Sequence, residues 1–260
     1  MRIVVTNCNT TQEMTEDIVR GARAAAGPGT TVTGLTPAWG PESAEGWLDS
    51  YLSAAAVLDT LRTYDGPYDA VVMAGFGEHG REGVRELVDV PVVDITEAAA
   101  HLACLLGRRY GVITTLERSR GQIEDSLYAA GVAQNCAAVV GTGLGVLELG
   151  ELGEVGDADR TEVAFVAAAE RARDAGAEVL VLGCAGMTGL RRVVSVVEDK
   201  LGLPVVDGVA AAVKLAESLV SLGLTTSRVG SYAKPLPKRR TWGPPGAPAA
   251  LGPSGEPQVR

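Results

Sequence analysis

The feature that most constrains this chain is an internal repeat. Pro91-Val92-Val93-Asp94-Ile95-Thr96-Glu97-Ala98-Ala99-Ala100 returns as Pro204-Val205-Val206-Asp207-Gly208-Val209-Ala210-Ala211-Ala212. Each copy follows an apolar run ending in a glycine-containing turn, Val71-Val72-Met73-Ala74-Gly75-Phe76-Gly77 and Val179-Leu180-Val181-Leu182-Gly183-Cys184-Ala185-Gly186. Ala and Val are abundant enough to produce chance likeness, but the shared Pro-Val-Val-Asp argues against coincidence. Two related halves follow, with Gly75 and Cys184 at matching places just past the carboxyl end of a strand. In open α/β sheets ligands bind at that edge. Two halves facing each other would bring both turns to one cleft.

The rest of the chain supports this architecture. Short β-branched runs at 2–6, 31–35, 70–74, 90–94, 110–114, 137–140, 178–183 and 204–207 read as strands. Ala-rich amphipathic stretches at 11–26, 46–64, 80–88, 95–107, 118–130, 159–175 and 209–222 read as helices. Continuous apolar strands separated by helices imply parallel sheets covered on both faces. The expected fold class is α/β.

Composition narrows the function. With 46% hydrophobic residues among 260, the chain can bury a substantial core. It has no 18-residue apolar run for a membrane span and no signal-peptide pattern at its start, so a cytoplasmic protein is expected. Four cysteines without a CxxC pair, and two histidines, argue against structural zinc or a disulfide scaffold. The net charge is −9, and Lys234, Lys238, Arg239, Arg240 and Arg260 stand against Glu256 alone at the end, so the body is more acidic still. An acidic body with 4% aromatic residues has no footprint for nucleic acid. Seven of the 13 prolines lie beyond residue 233, which reads as a disordered basic tail over 233–260.

Cys184 is the strongest chemical candidate. A thiol between Gly183 and Ala185-Gly186, ahead of a helix start at Thr188, is expected to meet free backbone N–H groups. These would favour the thiolate and hold a substrate oxyanion. The competing reading is a buried structural cysteine. Cys104, in an apolar helical run, and Cys136, before a strand, read as core, whereas Cys8 follows the first strand and is expected more often to be structural than chemical. Asn7 and Asn9 end that strand, where their amides either bind substrate or make a turn. Thr114 and Thr115 end another, where they either bind or cap a helix. His79, after the Gly75 turn, is a candidate proton donor or acceptor or an idle surface residue. His101 reads as structural. Gly75-Phe76-Gly77 lacks the rest of any nucleotide loop.

Together the residues Val5-Thr6-Asn7-Cys8-Asn9-Thr10-Thr11, Val112-Ile113-Thr114-Thr115-Leu116, Gly183-Cys184-Ala185-Gly186-Met187 and Asp207-Gly208-Val209 resemble the aspartate/glutamate/hydantoin racemase superfamily, closest to its hydantoin and allantoin racemase branch. The resemblance spans nearly all of residues 1–232. It implies two pseudosymmetric domains, 1–97 with 208–232 and 98–207, around a cofactor-independent site, and it implies self-association. In the family two cysteines flank a carbon acid. Cys184 matches the second, whereas Gly75 stands where the first should be and Cys8 where a proline is common. The resemblance implies that Asn7, Asn9, Thr114, Thr115 and the backbone around Gly75, Phe76, Gly77, Gly183, Ala185 and Gly186 hold the substrate.

Three functions are open on the sequence. The first is racemisation of a cyclic amide carbon acid (hydantoin, allantoin or diketopiperazine) by Cys184, with His79 or a held water serving the other face. No Arg or Lys cluster lies near the motifs, which suits a neutral ring. The second is decarboxylation of a malonate with Cys184 as the lone proton donor, since a related arylmalonate decarboxylase also pairs glycine with cysteine. The third is a non-catalytic small-molecule-binding protein. Because the resemblance implies a family that accommodates cysteine at position 75, Gly75→Cys is expected to preserve the fold and, with the geometry intact, to raise racemisation.

Overall fold

The computed structural model describes residues 1–151 and 158–240. It contains two four-stranded parallel sheets of identical topology. The first is built from β1 (Arg2–Asn7), β2 (Thr31–Leu35), β3 (Ala70–Ala74) and β4 (Val92–Asp94), ordered β2-β1-β3-β4. The second is built from β5 (Tyr110–Thr114), β6 (Cys136–Gly141), β7 (Val179–Leu182) and β8 (Val205–Asp207), ordered β6-β5-β7-β8. The helices are α1 (Gln12–Ala25), α2 (Trp47–Thr63), α3 (Arg81–Leu87), α4 (Ile95–Leu106), α5 (Arg120–Ala129), α6 (Glu148–Glu151), α7 (Ala158–Asp174), α8 (Arg191–Leu201) and α9 (Gly208–Ser221). None of the described helices is long and apolar enough to cross a membrane.

The physics of the repeat is visible at β4 and β8. Each is an edge strand preceded by proline, which has no N–H to give but whose carbonyl accepts from the neighbouring strand, Pro91 from Val71 at 3.0 Å and Pro204 from Leu180 at 2.9 Å. Each ends in an aspartate that caps the next helix. Asp94 accepts from the Thr96 and Glu97 N–H groups, and Asp207 from those of Val209 and Ala210. Asp207 also accepts from the Thr188 hydroxyl at 2.7 Å, tying α9 to the turn after β7. Asp207→Ala should therefore cost about 1–2 kcal/mol of stability, read as a lower urea midpoint at unchanged slope.

Strand periodicity divides the core. In β1, Ile3 and Val5 join a central cluster with Val112, Val179 and Val181 of the second sheet, while Val4 faces α2 and α3 through Val57, Leu61 and Val84. On the far side of the second sheet, Ile113, Leu180 and Leu182 pack on Phe165, Ala168 and Ala172 of α7 and on Val193 and Val197 of α8. The two sheets thus share one interior. α4 and α9 pack on each other within it, α4 also against β7 and α9 against β3.

Helix α8 is the helix whose start was expected at Thr188, and its Val-rich Arg191-Arg192-Val193-Val194-Ser195-Val196-Val197 run is rich in β-branched residues. Only the burial of Val193 and Val197, spaced by four, shows its helical face. The chain after Cys184 differs from expectation. Ala185–Met187 form a single 3-10 turn, Gly189 adopts a left-handed φ of +84°, and α8 begins only at Arg191. At the other end, Thr225, Thr226, Arg228 and Tyr232 hydrogen-bond to α3 and the 85–90 segment, and Lys234 pairs with Asp89 at 3.0 Å. Residues 241–260 of the expected tail lie outside the described residues.

Candidate active site

A strand order of the 2-1-3-4 type reverses between its two central strands, and the reversal opens a crevice at their carboxyl ends. In the first sheet the register Asn7↔Ala74 sets Cys8 and Asn9 beside Gly75 and Phe76. In the second, Ile113↔Leu182 sets Thr114 and Thr115 beside Gly183 and Cys184. All four strand ends meet in one cleft. It is lined by Asn7, Asn9, Gly75, Phe76, His79, Thr114, Thr115, Gly183, Cys184, Ala185 and Gly186, and also by Cys8, Met14, Ser119 and Gln122. Gly77 is not in its wall. The Gly77 N–H donates to the Thr96 hydroxyl at 2.8 Å and its carbonyl accepts from Ser126, so it is not a free amide for substrate. Its φ of +115° accounts for the glycine.

Cys184 is half-buried, with its sulfur in the cleft wall. The expectation of a resting thiolate does not hold. Burial pushes the thiol up to about 11, and the Glu45 charge adds to the shift. The Gly186 and Met187 N–H groups oppose it without prevailing. The helix expected to help starts only at Arg191, too far along to act on the thiol. In the free protein Cys184 is a neutral thiol whose conjugate base is strong.

The asparagines divide. The Asn7 amide is consumed by scaffold bonds, donating to Asn9 Oδ1 at 2.9 Å and Thr15 Oγ1 at 3.0 Å and accepting from the Cys8 N–H at 2.7 Å. Turn chemistry, rather than a free amide, is its part in this geometry. Among the described residues Asn9 Nδ2 donates only to the Met14 sulfur, at 3.1 Å. Thr114 Oγ1 donates to the Gly183 carbonyl at 3.2 Å and so braces the cysteine turn.

His79 is not an idle surface residue. It is 3% exposed, its Nε2 lies 3.3 Å from the Phe76 carbonyl, and its Nδ1 is buried without a partner among the described residues. Burial pulls it down to about 4, leaving a neutral imidazole at pH 7. Cys8 is buried too, one residue past β1. Its polar neighbours and strand-end place were legible in sequence, but its proximity to position 75 was not, because that depends on the pairing of β1 with β3.

The structure overturns the expectation for Gly75→Cys. A Cβ at position 75 would press on the His79 ring and lie 2.8 Å from Cys8 Cβ and 3.0 Å from its sulfur. Gly75→Cys should destabilise the fold by about 1–3 kcal/mol and lower activity, read from thermal unfolding and initial rates. Unchanged stability with increased turnover would contradict the crowded geometry.

The family model described as Asp/Glu/Hydantoin racemase matches residues 3–216. The chain belongs to that family. A hydantoin racemase of Paenarthrobacter aurescens is 36% identical, the match covering 92% of this chain and 99% of the relative. The allantoin racemase of Pseudomonas fluorescens superposes with a TM-score of 0.87 at 52% identity, covering 93% of this chain and all of that one. The allantoin racemase of Klebsiella pneumoniae gives 0.85 at 38% identity, covering 93% and 96%. This is a racemase-family enzyme on the two-sheet fold of that family.

Proposed function

We propose that this protein racemises a neutral cyclic amide of the hydantoin or allantoin type at the carbon beside a carbonyl, with Cys184 as general acid and base. The observation that carries the reading is the Cys184 sulfur in a cleft shared by both halves, whose described lining includes neither Arg nor Lys. Such a wall suits an uncharged ring and gives a carboxylate no cation to pair with. The relatives named as hydantoin and allantoin racemases support the same substrate class.

A proton beside a carbonyl is removed with formation of an enolate, so catalysis requires a base near the carbon and donors near the oxygen. The Gly186 N–H, which already favours the anionic form of Cys184, and Asn9 Nδ2 are two donors in the wall. A raised thiol pKa costs ionised population but makes the ionised sulfur a stronger base, closer to the weak acidity of the carbon. The test is incubation of single enantiomers of allantoin and 5-benzylhydantoin in heavy water. Deuterium uptake with loss of optical rotation is expected. Retention of both proton and rotation for these rings, with carbon dioxide released from an arylmalonate instead, would replace this reading with the decarboxylase.

A further inference from the structure

Inversion at carbon needs a proton removed from one face and returned to the other, and Gly75 has no side chain for the second task. The space beside it is nevertheless filled. β1 and β3 are neighbours, and their register sets Cys8 against Gly75 so closely that a Cβ on residue 75 would lie 3.0 Å from the Cys8 sulfur. The thiol has come from the adjacent strand instead of from the turn itself, and glycine at 75 is the condition for its fit.

The surroundings are built to hold it. Asn7 Oδ1 accepts the Cys8 N–H at 2.7 Å, and Asn7 is in turn fixed by Asn9 and Thr15. Cys8 and Cys184 line the same cleft, one at the end of each half, and the charge of Cys184 is felt at Cys8. His79 closes the same side and lines the cleft with Nδ1 buried and unpartnered. A buried polar atom of that kind is satisfied by a ligand or water, so this face is independently marked as one that meets a polar guest.

Resting on the racemase reading, we propose that Cys8 is the second catalytic residue, exchanging the proton on the carbon face opposite Cys184. In one direction the Cys184 thiolate takes the carbon-bound proton and becomes a thiol, leaving the electron pair in the enolate. The Cys8 thiol then gives its proton to the other face and becomes the thiolate. The opposite enantiomer runs the same steps backwards, beginning from the Cys8 thiolate. No oxidant or cofactor enters the balance. Ionising one sulfur disfavours ionising the other, which maintains the one-thiol, one-thiolate pair that the exchange requires.

The test compares wild type with Cys8→Ala and the nearly isosteric Cys8→Ser in heavy water, using each enantiomer of 5-benzylhydantoin and allantoin. Inversion should fall about 100-fold or more in both variants, while one enantiomer still trades its proton for deuterium with retained configuration through Cys184. Circular dichroism reports whether each variant is folded. Inversion within about threefold of wild type in a folded Cys8 variant overturns the proposal, as does loss of exchange for both enantiomers together with inversion. Exchange without inversion in His79→Gln, alongside inverting Cys8 variants, assigns the face to His79 instead. A wild-type protein that neither exchanges nor inverts any of these rings defeats the racemase reading beneath it, a separate result.

Discussion

Cys184→Ala is expected to lower racemisation by about 10³-fold or more while leaving the melting temperature within a few degrees. The side chain is half-buried at the edge of a cleft, so its removal deletes little packing. Neither Thr114, whose hydroxyl braces Gly183, nor the consumed Asn7 amide offers a base in its place. Initial rates by polarimetry and a thermal melt check this together. A variant that melts as wild type and racemises within tenfold of it would remove Cys184 from the chemistry. Equal losses of activity and stability would make it a packing residue.

The second large effect is on pH. Both thiols are desolvated, the half-buried Cys184 pushed up to about 11 and the buried Cys8 to about 12, loss of solvation being the main cause in each. With a base of that strength only about one molecule in 10⁴ carries the thiolate at pH 7. kcat/KM should therefore climb about tenfold per pH unit from 7 to 9. Stability follows the opposite sign. A thiol that ionises near 9 when unfolded but near 11 or 12 when folded contributes stability that is complete below pH 9 and is lost as pH rises through that window. The apparent optimum is thus alkaline and set on its upper side by unfolding, so rates must be taken at short times. A flat profile between pH 7 and 9 would mean that the thiolate is already present at neutrality. Alkylation follows the same logic, since Cys184 should react with iodoacetamide more slowly at pH 7 than an ordinary exposed thiol.

Much of the fold was legible because its signals are local. The Pro-Val-Val-Asp repeat carries its own explanation, an edge strand that needs no N–H at its start and a cap at its end, and it placed both β4–α4 and β8–α9 in sequence. The start of α8 was misplaced, because a 3-10 turn and the left-handed Gly189 delay it from Thr188 to Arg191. At the site, the four strand ends could be identified from Asn7, Gly75, Thr114 and Cys184 one at a time, since each ends an apolar run. What sequence could not convey was adjacency across strands. Cys8 and Gly75 are 67 positions apart and become neighbours only through the β1–β3 register, so the glycine read as a missing group when its place was taken by a residue from elsewhere. The protonation state of Cys184 escaped for a related reason. The donors after it were visible in the sequence, but the burial that outweighs them comes from tertiary packing, in which Cys184 lies against the cluster of Ile113, Phe165, Leu182 and Met187.

The central claim, that two groups of the protein work on opposite faces of one carbon, is tested most directly by the isotope content of the first products. Enantiopure substrate in heavy water is stopped below a tenth of conversion, and both enantiomers are separated and weighed by mass spectrometry. The account predicts that the inverted product carries deuterium while the recovered substrate keeps its protium. Inverted product that retains the substrate's own proton would mean that a single group serves both faces, and the assignment of separate sulfurs would be wrong.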